Sequence, residues 1–467
     1  MLDKNHKKFT LWVLSWPILI ELFLQFLLGA VDTLMVSRIS DDAVAVVGFS
    51  NQLFQAMTTL FTTVASGAGI LIAQKLGSGR SKDARKIGIM ALLVSTLIGI
   101  VLSVVLYSMA VPISSALQLP ERLLPLAGIY VSIVGGGMVL VAMMSTMSTV
   151  IRNTGNTKGP MYTAVGMNIV HVFLNYGFIY GALGLPQWGL TGVAISTVAS
   201  RLLAVLLLLY MFLRAFEYRI QWREFRMFDK PLFKEILHIG WPMGVNLSCW
   251  VFTQLIIYTY IARLGAEELA ARTYMNTLES MCFLLGMSIA MGVQIQIAHL
   301  FGAGRTEQAY KAAYRAFGIG IIFVGINALL IYVFGSQILG MFTADPEIIA
   351  IGVSLLGLNL ILQPGKLMNM TLGNALNALG DTRFTMYTSL VSMWVIATGL
   401  SYVLGIHMGW GLVGIYCCMI ADEYVRGICA LIRWRGQKAL RKAVVPSAET
   451  AVPTPVEPTP SPAPAGA

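Results

Sequence analysis

Polar residues punctuate this chain at nearly regular intervals, and between them run apolar stretches of unusual length. A helix crosses the hydrocarbon core of a bilayer in about 20 residues. Twelve stretches suit that length, at roughly residues 10–36, 44–74, 87–111, 123–148, 161–184, 190–213, 234–262, 269–300, 313–340, 348–375, 386–407 and 411–433. They lack the period-two alternation that a barrel wall requires, so each is read as a membrane-spanning helix.

The polar punctuation is written twice. Gln74-Lys75-Leu76-Gly77-Ser78-Gly79-Arg80 returns as His299-Leu300-Phe301-Gly302-Ala303-Gly304-Arg305, and Gly155-Asn156-Thr157-Lys158 returns as Gly380-Asp381-Thr382-Arg383, both 225 positions later. The same offset relates Trp16-Pro17 to Trp241-Pro242, Arg38 to Arg263, and Met161-Tyr162-Thr163 to Met386-Tyr387-Thr388. A repeat of six spans points to two equivalent membrane bundles. An even number of spans gives both copies one orientation, so they are related by an axis along the membrane normal.

Composition excludes a water-soluble globule: 57% of the 467 residues are apolar and 12% are charged, with a mean hydropathy of +0.73. The net charge of +10 does not imply nucleic acid, because the basic residues gather on alternate connections. One set includes Lys75 to Lys86, Arg152 and Lys158, Arg214 to Lys234, Arg305 to Arg315, Arg383, and Arg433 to Lys442; the other holds Arg38, Arg122, Arg263 and Arg272. By the positive-inside rule both termini are cytoplasmic. The expected architecture is an all-α integral membrane protein, multi-pass in the plasma (inner) membrane, with twelve transmembrane helices in two pseudosymmetric six-helix bundles. Its parts are an N-terminal lobe over 1–213, a cytoplasmic linker over 214–233, a C-terminal lobe over 234–433 and a disordered cytoplasmic tail over 434–467. In the linker Arg219, Arg223, Arg226 and Lys230 form one stripe if helical, suited either to lipid headgroups or to solvent. The first apolar run is too long for a cleaved signal and is expected to remain as a span. The five cysteines lie in apolar runs without metal-ligand spacing and are read as small core residues, with no metal site.

Charges inside the spans are few: Glu21, Asp32, Arg201, Glu279, Lys366, Asp422, Glu423 and Arg426. Each costs on the order of 3 kcal/mol at a helix centre, so each demands a partner, water or a role. Glu21, Gln25 and Asp32 share one face of the first span, a polar stripe. Asp32 is the candidate reversible proton carrier, since a carboxylate near the outer end of a span can gain or lose a proton as its shielding changes. His171 and Asn175, one turn apart in span five, are its candidate neighbours. Asp422 and Glu423 lie within a turn of Arg426 and are expected to neutralise it. Glu279, without an obvious local cation, is the second-lobe candidate. The Gly-x-Gly-Arg turns lack the strand and the remaining residues of a phosphate loop. No hydrolase or metalloprotease motif is present, so the chain is not expected to be an enzyme, and no catalytic residue or cofactor is assigned.

The twelve-span duplicated layout, Pro17 followed by Val31-Asp32-Thr33-Leu34-Met35-Val36, the Gly-x-Gly-Arg connection after spans two and eight, and the Gly-Asn/Asp-Thr-Lys/Arg connection after spans four and ten resemble the multidrug and toxic compound extrusion (MATE) family. The resemblance covers about residues 10–433. It implies two lobes around a V-shaped cavity, alternating access, and export of amphipathic or cationic organic compounds by antiport with protons or sodium. It places the family's first-helix acid on Asp32, its span-five polar pair on His171 and Asn175, and a span-six threonine on Thr197. Some members carry asparagine and aspartate at the span-five pair. The sodium-linked branch uses acids in spans seven and ten, where this chain has Asn246, Gln254, Gln363 and Asn369 instead. Proton coupling is therefore the expectation, with a sodium-coupled drug antiporter or a lipid-linked precursor flippase as alternatives. Expected partners are small organic substrates and the lipid bilayer, with a monomeric protein.

Overall fold

The structure, a computed structural model, describes residues 10–182, 184–216 and 229–436. The basic stripe of the linker from Arg219 to Arg226 and most of the expected tail lie outside them. Among the described residues the chain is helical, with no strand. The first lobe comprises α1 (Leu11–Val36), α2 (Asp41–Gly77), α3 (Ser81–Ser108), α4 (Ala110–Ala116), α5 (Leu124–Gly136), α6 (Met138–Asn153), α7 (Lys158–Tyr180) and α8 (Gly189–Leu213). The second comprises α9 (Lys230–Leu264), α10 (Ala266–Gly302), α11 (Thr306–Phe342), α12 (Pro346–Ala378), α13 (Thr382–Ser392) and α14 (Gly411–Arg435).

Among the described residues, nine helical segments are long and apolar enough to cross a membrane, counting 382–407 as one, and the pair ending at Gly136 and beginning at Met138 forms a tenth, bent by 41°. Helices α7 and α14 complete twelve. Their 23 and 25 residues span readily, but His171 and Asn175 on one, and Asp422, Glu423 and Arg426 on the other, make them more polar. The two spans least suited to lipid thus each hold a polar or charged cluster. Two irregularities are local. At the bend between α5 and α6, Ser103 Oγ of α3 accepts the Val139 amide at 2.8 Å. Beyond α13 the chain widens into π-helical turns over Met393–Leu400 and Tyr402–His407.

The repeated glycine turns have a backbone cause. Gly79 and Gly304 adopt φ of +76° and +72°, and Gly155 and Gly380 adopt +91° and +83°, a left-handed conformation that glycine reaches without the Cβ penalty. At the first pair the following amides fold back, Arg80 N onto Lys75 O at 2.8 Å and Arg305 N onto Leu300 O at 2.9 Å, which satisfies carbonyls that the helix end would leave open. Pro17 has a similar consequence inside α1. It cannot donate to Val13 O, and Thr157 Oγ1 donates to that carbonyl instead, at 3.3 Å.

The lobes meet at the face that carries these basic turns. Gln74 Nε2 donates to Ala378 O at 2.7 Å, and its counterpart His299 Nε2 donates to Asn153 O at 2.7 Å, so each lobe grips the backbone of the other through equivalent positions. Lys75 pairs with Glu235 at 3.5 Å beside them. The apolar cores show the same division. The cluster around Val36, Phe54, Val131 and Leu190 lies wholly in the first lobe, and that around Ile257, Met275, Leu355 and Tyr416 wholly in the second. On the basic side, by contrast, Ile236 and Ile239 join the first lobe's core, Leu11 and Ala73 join the second's, and Leu14 and Ile18 pack on Ile295. The two bundles are closed at the basic face and separately packed toward the other, which gives the V.

Candidate functional site

Asp32 lies one turn from the end of α1, its side chain about a quarter exposed (27%). Across from it, α7 presents His171 and Asn175, both buried and one turn apart. His171 Nε2 lies 2.7 Å from Asp32 Oδ1, and Asn175 Nδ2 donates to the same oxygen at 3.0 Å. From α8, Ser200 Oγ lies 3.2 Å from His171 Nδ1, while Ser196 Oγ donates to Asn175 Oδ1. Ser196 thereby turns the Asn175 amide so that its NH2 faces the carboxylate. Asp32 Oδ2 makes no hydrogen bond among the described residues, so one carboxylate oxygen is held by α7 and the other remains available.

This network tolerates two proton positions. With Asp32 ionised, His171 Nε2–H donates to it and Nδ1 accepts from Ser200. With Asp32 protonated at Oδ1, Nε2 accepts, Nδ1–H donates to Ser200, and Ser200 passes its own hydrogen to Thr197 O, 3.0 Å away. Either arrangement pairs each of these contacts.

Thr197 itself does not reach Asp32; its Oγ1 donates to Val193 O at 2.8 Å. The α8 side chains that do bind the cluster are Ser196 and Ser200, which the sequence reading did not single out. Glu21 is buried and pairs with Arg152 at 3.3 Å, and Gln25 is exposed between Glu21 and Asp32. The polar stripe of α1 is thus divided into an end neutralised by Arg152 and an end bonded to α7. Arg201, on α8, lies within electrostatic reach of Asp32 and Tyr130 and has its Nη1 buried without a hydrogen-bond partner.

The second lobe is arranged differently. Glu279 Oε1 accepts from Arg272 Nη1 at 2.9 Å and from Tyr416 Oη at 2.7 Å, all three residues being buried. Arg272 belongs to the interior of α10, not to an outer connection, and it supplies the cation that Glu279 lacks in the local sequence reading. The signal was a spacing of seven, two turns along one helix face. Asp422 and Glu423 both bind Arg426, the latter at 3.1 Å. Arg426 is the repeat counterpart of Arg201, and Asp422 that of Thr197. The second-lobe arginine therefore has carboxylates on its own helix, whereas Arg201 faces Asp32 across the bundle.

Glu279→Gln is expected to act on stability. Removing one charge of a buried pair strands the other, at a cost of about 3–5 kcal/mol. A lower Tm and yield, restored by Arg272→Met with Glu279→Leu, is the expected result. Unchanged Tm with loss of a sodium-driven component of transport would instead make Glu279 an ion site.

Comparisons with known proteins identify the family and the fold. The MatE family model matches residues 17–177 and again 242–403, two copies whose starts are 225 positions apart. The chain belongs to the MatE family. The chain is 33% identical over 442 residues to the uncharacterized transporter YisQ of Bacillus subtilis, covering 94% of this chain and 96% of that one. It is 25% identical over 438 residues to the probable multidrug resistance protein NorM of Thermotoga maritima (92% and 93% covered), and 26% identical over 402 residues to the multidrug resistance protein PmpM of Pseudomonas aeruginosa (85% and 83%). The crystal structure of a MATE protein in a bent conformation superposes with a TM-score of 0.85 at 18% identity, covering 93% of this chain and 96% of that one. An outward-facing multidrug resistance MATE transporter superposes at 0.83, also at 18% identity, with 92% and 95% covered. This chain is accordingly a multi-pass MATE transporter with twelve helices in two bundles.

Proposed function

We propose that this MATE protein exports amphipathic, cationic organic compounds across the plasma (inner) membrane in exchange for protons, with Asp32 as the shared coupling group. The observation that carries this reading is the asymmetric hold on Asp32: one oxygen is fixed by His171 and Asn175, and the other makes no hydrogen bond among the described residues. A proton or an organic cation can neutralise that carboxylate, and the two compete, which is the requirement for antiport. A recess of about 300 Å³ between α1 and α7 is lined by Leu24, Leu27, Leu28, Val31, Val172 and Phe173, of which Val31 and Val172 adjoin Asp32 and His171 in the chain. Its apolar walls suit the hydrophobic part of an amphipathic cation. A proton suits the site better than sodium, which prefers several hard oxygen ligands, because imidazole nitrogen occupies one side of Asp32 Oδ1. The relatives named for multidrug resistance support the substrate class. Substrate-dependent proton release from proteoliposomes, with and without sodium, is the direct test; release that requires sodium would replace this reading with the sodium-coupled one.

The basic face is placed in the cytoplasm on its charge, so the closed end faces inward and the V opens outward. In a cysteine-free background, Ser40→Cys is expected to react with impermeant reagent only from outside and Ser81→Cys only from inside. Labelling of both from one side would contradict the arrangement.

A further inference from the structure

The second lobe contains a cavity of about 310 Å³ enclosed by α9, α10, α12, the first π-helical turns and α14. This is the size of a small-molecule site, and it lies in the opposite lobe from Asp32. Its walls combine flat apolar surface from Trp250 and Phe283 with six charged side chains, three acids and three bases.

Sorting those charges by partner shows which remain uncommitted. Glu279 is held by Arg272 and Tyr416. Asp422 is held by Arg426 and by Ser392 Oγ at 2.6 Å, and Glu423 by Arg426 and by Asn369 Nδ2 at 2.8 Å. Lys366 makes no ion pair among the described residues; its ammonium lies 5.4 Å from the centre of the Phe283 ring. A cation–π contact offsets only about 0.5–2 kcal/mol of the cost of an ammonium in a membrane protein interior. The two guanidinium groups add unmet donors, since Arg272 Nε and Arg426 Nε are both buried without an acceptor among the described residues. All three are donors that cannot accept. Glu279 Oε1 and the oxygens of Asp422 and Glu423 are already bonded, so an organic cation entering here would compete for them or be confined to Glu279 Oε2, and it would meet Lys366. An acceptor-rich anion displaces nothing and removes the largest unpaired charge.

We propose that this cavity is a second ligand site, selective for flat aromatic organic anions, with Lys366 pairing the acid group and Phe283 and Trp250 packing on the ring. The site concerns binding in the second lobe, and it stands or falls separately from the coupling role of Asp32.

The test uses full-length protein in lipid nanodiscs and titration calorimetry with three probes of one shape: naphthalene-2-carboxylate, its neutral carboxamide, and 2-naphthylmethylammonium. A charge-assisted contact predicts that the carboxylate binds about tenfold or more tighter than the carboxamide, and tighter than the ammonium. Lys366→Gln is expected to abolish that preference and Lys366→Arg to restore most of it, while Asp32→Asn keeps the carboxylate affinity. The proposal is overturned if the ammonium binds at least as tightly as the carboxylate to the wild-type protein, a comparison that needs no variant to fold. It is also overturned if Lys366→Gln, with unchanged Tm, keeps the carboxylate preference. Loss of substrate-driven proton release in Asp32→Asn with naphthoate binding intact would uphold both readings, and failure of either alone would identify which one is wrong.

Discussion

Asp32→Asn is expected to reduce pH-gradient-driven export to the level of protein-free liposomes while shifting Tm by no more than about 2–4 °C, the change that roughly 1 kcal/mol produces in a lobe of this size. The substitution is nearly isosteric. An amide oxygen at Oδ1 still accepts from His171 Nε2 and Asn175 Nδ2, so the packing of α1 on α7 survives. What disappears is the charge that a proton and an organic cation compete for, and with it the counter-charge facing Arg201. His171→Ala should behave differently: the carboxylate remains, but the group that shares its proton is gone, so the pH dependence of export moves while transport persists. Full export by Asp32→Asn in reconstituted vesicles under a pH gradient would show that the carrier lies elsewhere.

The separation of these effects follows from how the cluster is built, and much of that is legible in the sequence. Twelve spans were legible because a bilayer imposes a length that the chain had to meet with apolar residues. Asp32, His171 and Asn175 stood out because charge and imidazole are costly there, and helical spacing put the last two on one face. Residues whose residence in an apolar span needs no explanation were not legible in this way. Ser196 and Ser200 return their hydroxyls to their own helix at little cost, so nothing in composition flagged them, although both bind the cluster. Arg152 and Arg272 were assigned to connections on opposite faces because they stand near span ends. Their long side chains instead reach inward to Glu21 and Glu279, as flexible apolar stems allow. The same limit applies to helix geometry. The bend at Gly137 and the π-helical stretch after Ser392 depend on which neighbour supplies the missing hydrogen bonds and packing, and only the assembled lobe defines that neighbour.

The repeated glycines make the second large prediction, because they lie where the lobes close. A Cβ built on Gly77 overlaps the His299 carbonyl oxygen of the other lobe, and one built on Gly302 overlaps the Gln74 carbonyl oxygen. The obstacles are backbone atoms, which cannot rotate aside as a side chain would. Gly77→Ala and Gly302→Ala therefore penalise the state in which the basic face is sealed and leave untouched any state in which these surfaces have parted. Overpacking of this kind costs about 1–3 kcal/mol per site, enough to shift a two-state balance by about 5–150-fold. Each variant should fold, since neither glycine has a positive φ and each lobe keeps its own outer core. Each should lose most export, because a transporter held off its sealed state cannot complete the cycle. Leu14→Cys provides the readout: Leu14 is fully buried where α1 packs on Ile295 of α10, so its thiol should label slowly in the otherwise wild-type protein and much faster from the basic side in the Gly77→Ala, Gly302→Ala double variant. Gly318→Ala, on α11 with no neighbour within 4 Å of the added methyl, is the matched control and should change neither export nor labelling. If the double variant exports normally and Leu14→Cys stays protected, the contact between Gln74, Gly77, His299 and Gly302 is not the seal that the cycle must form.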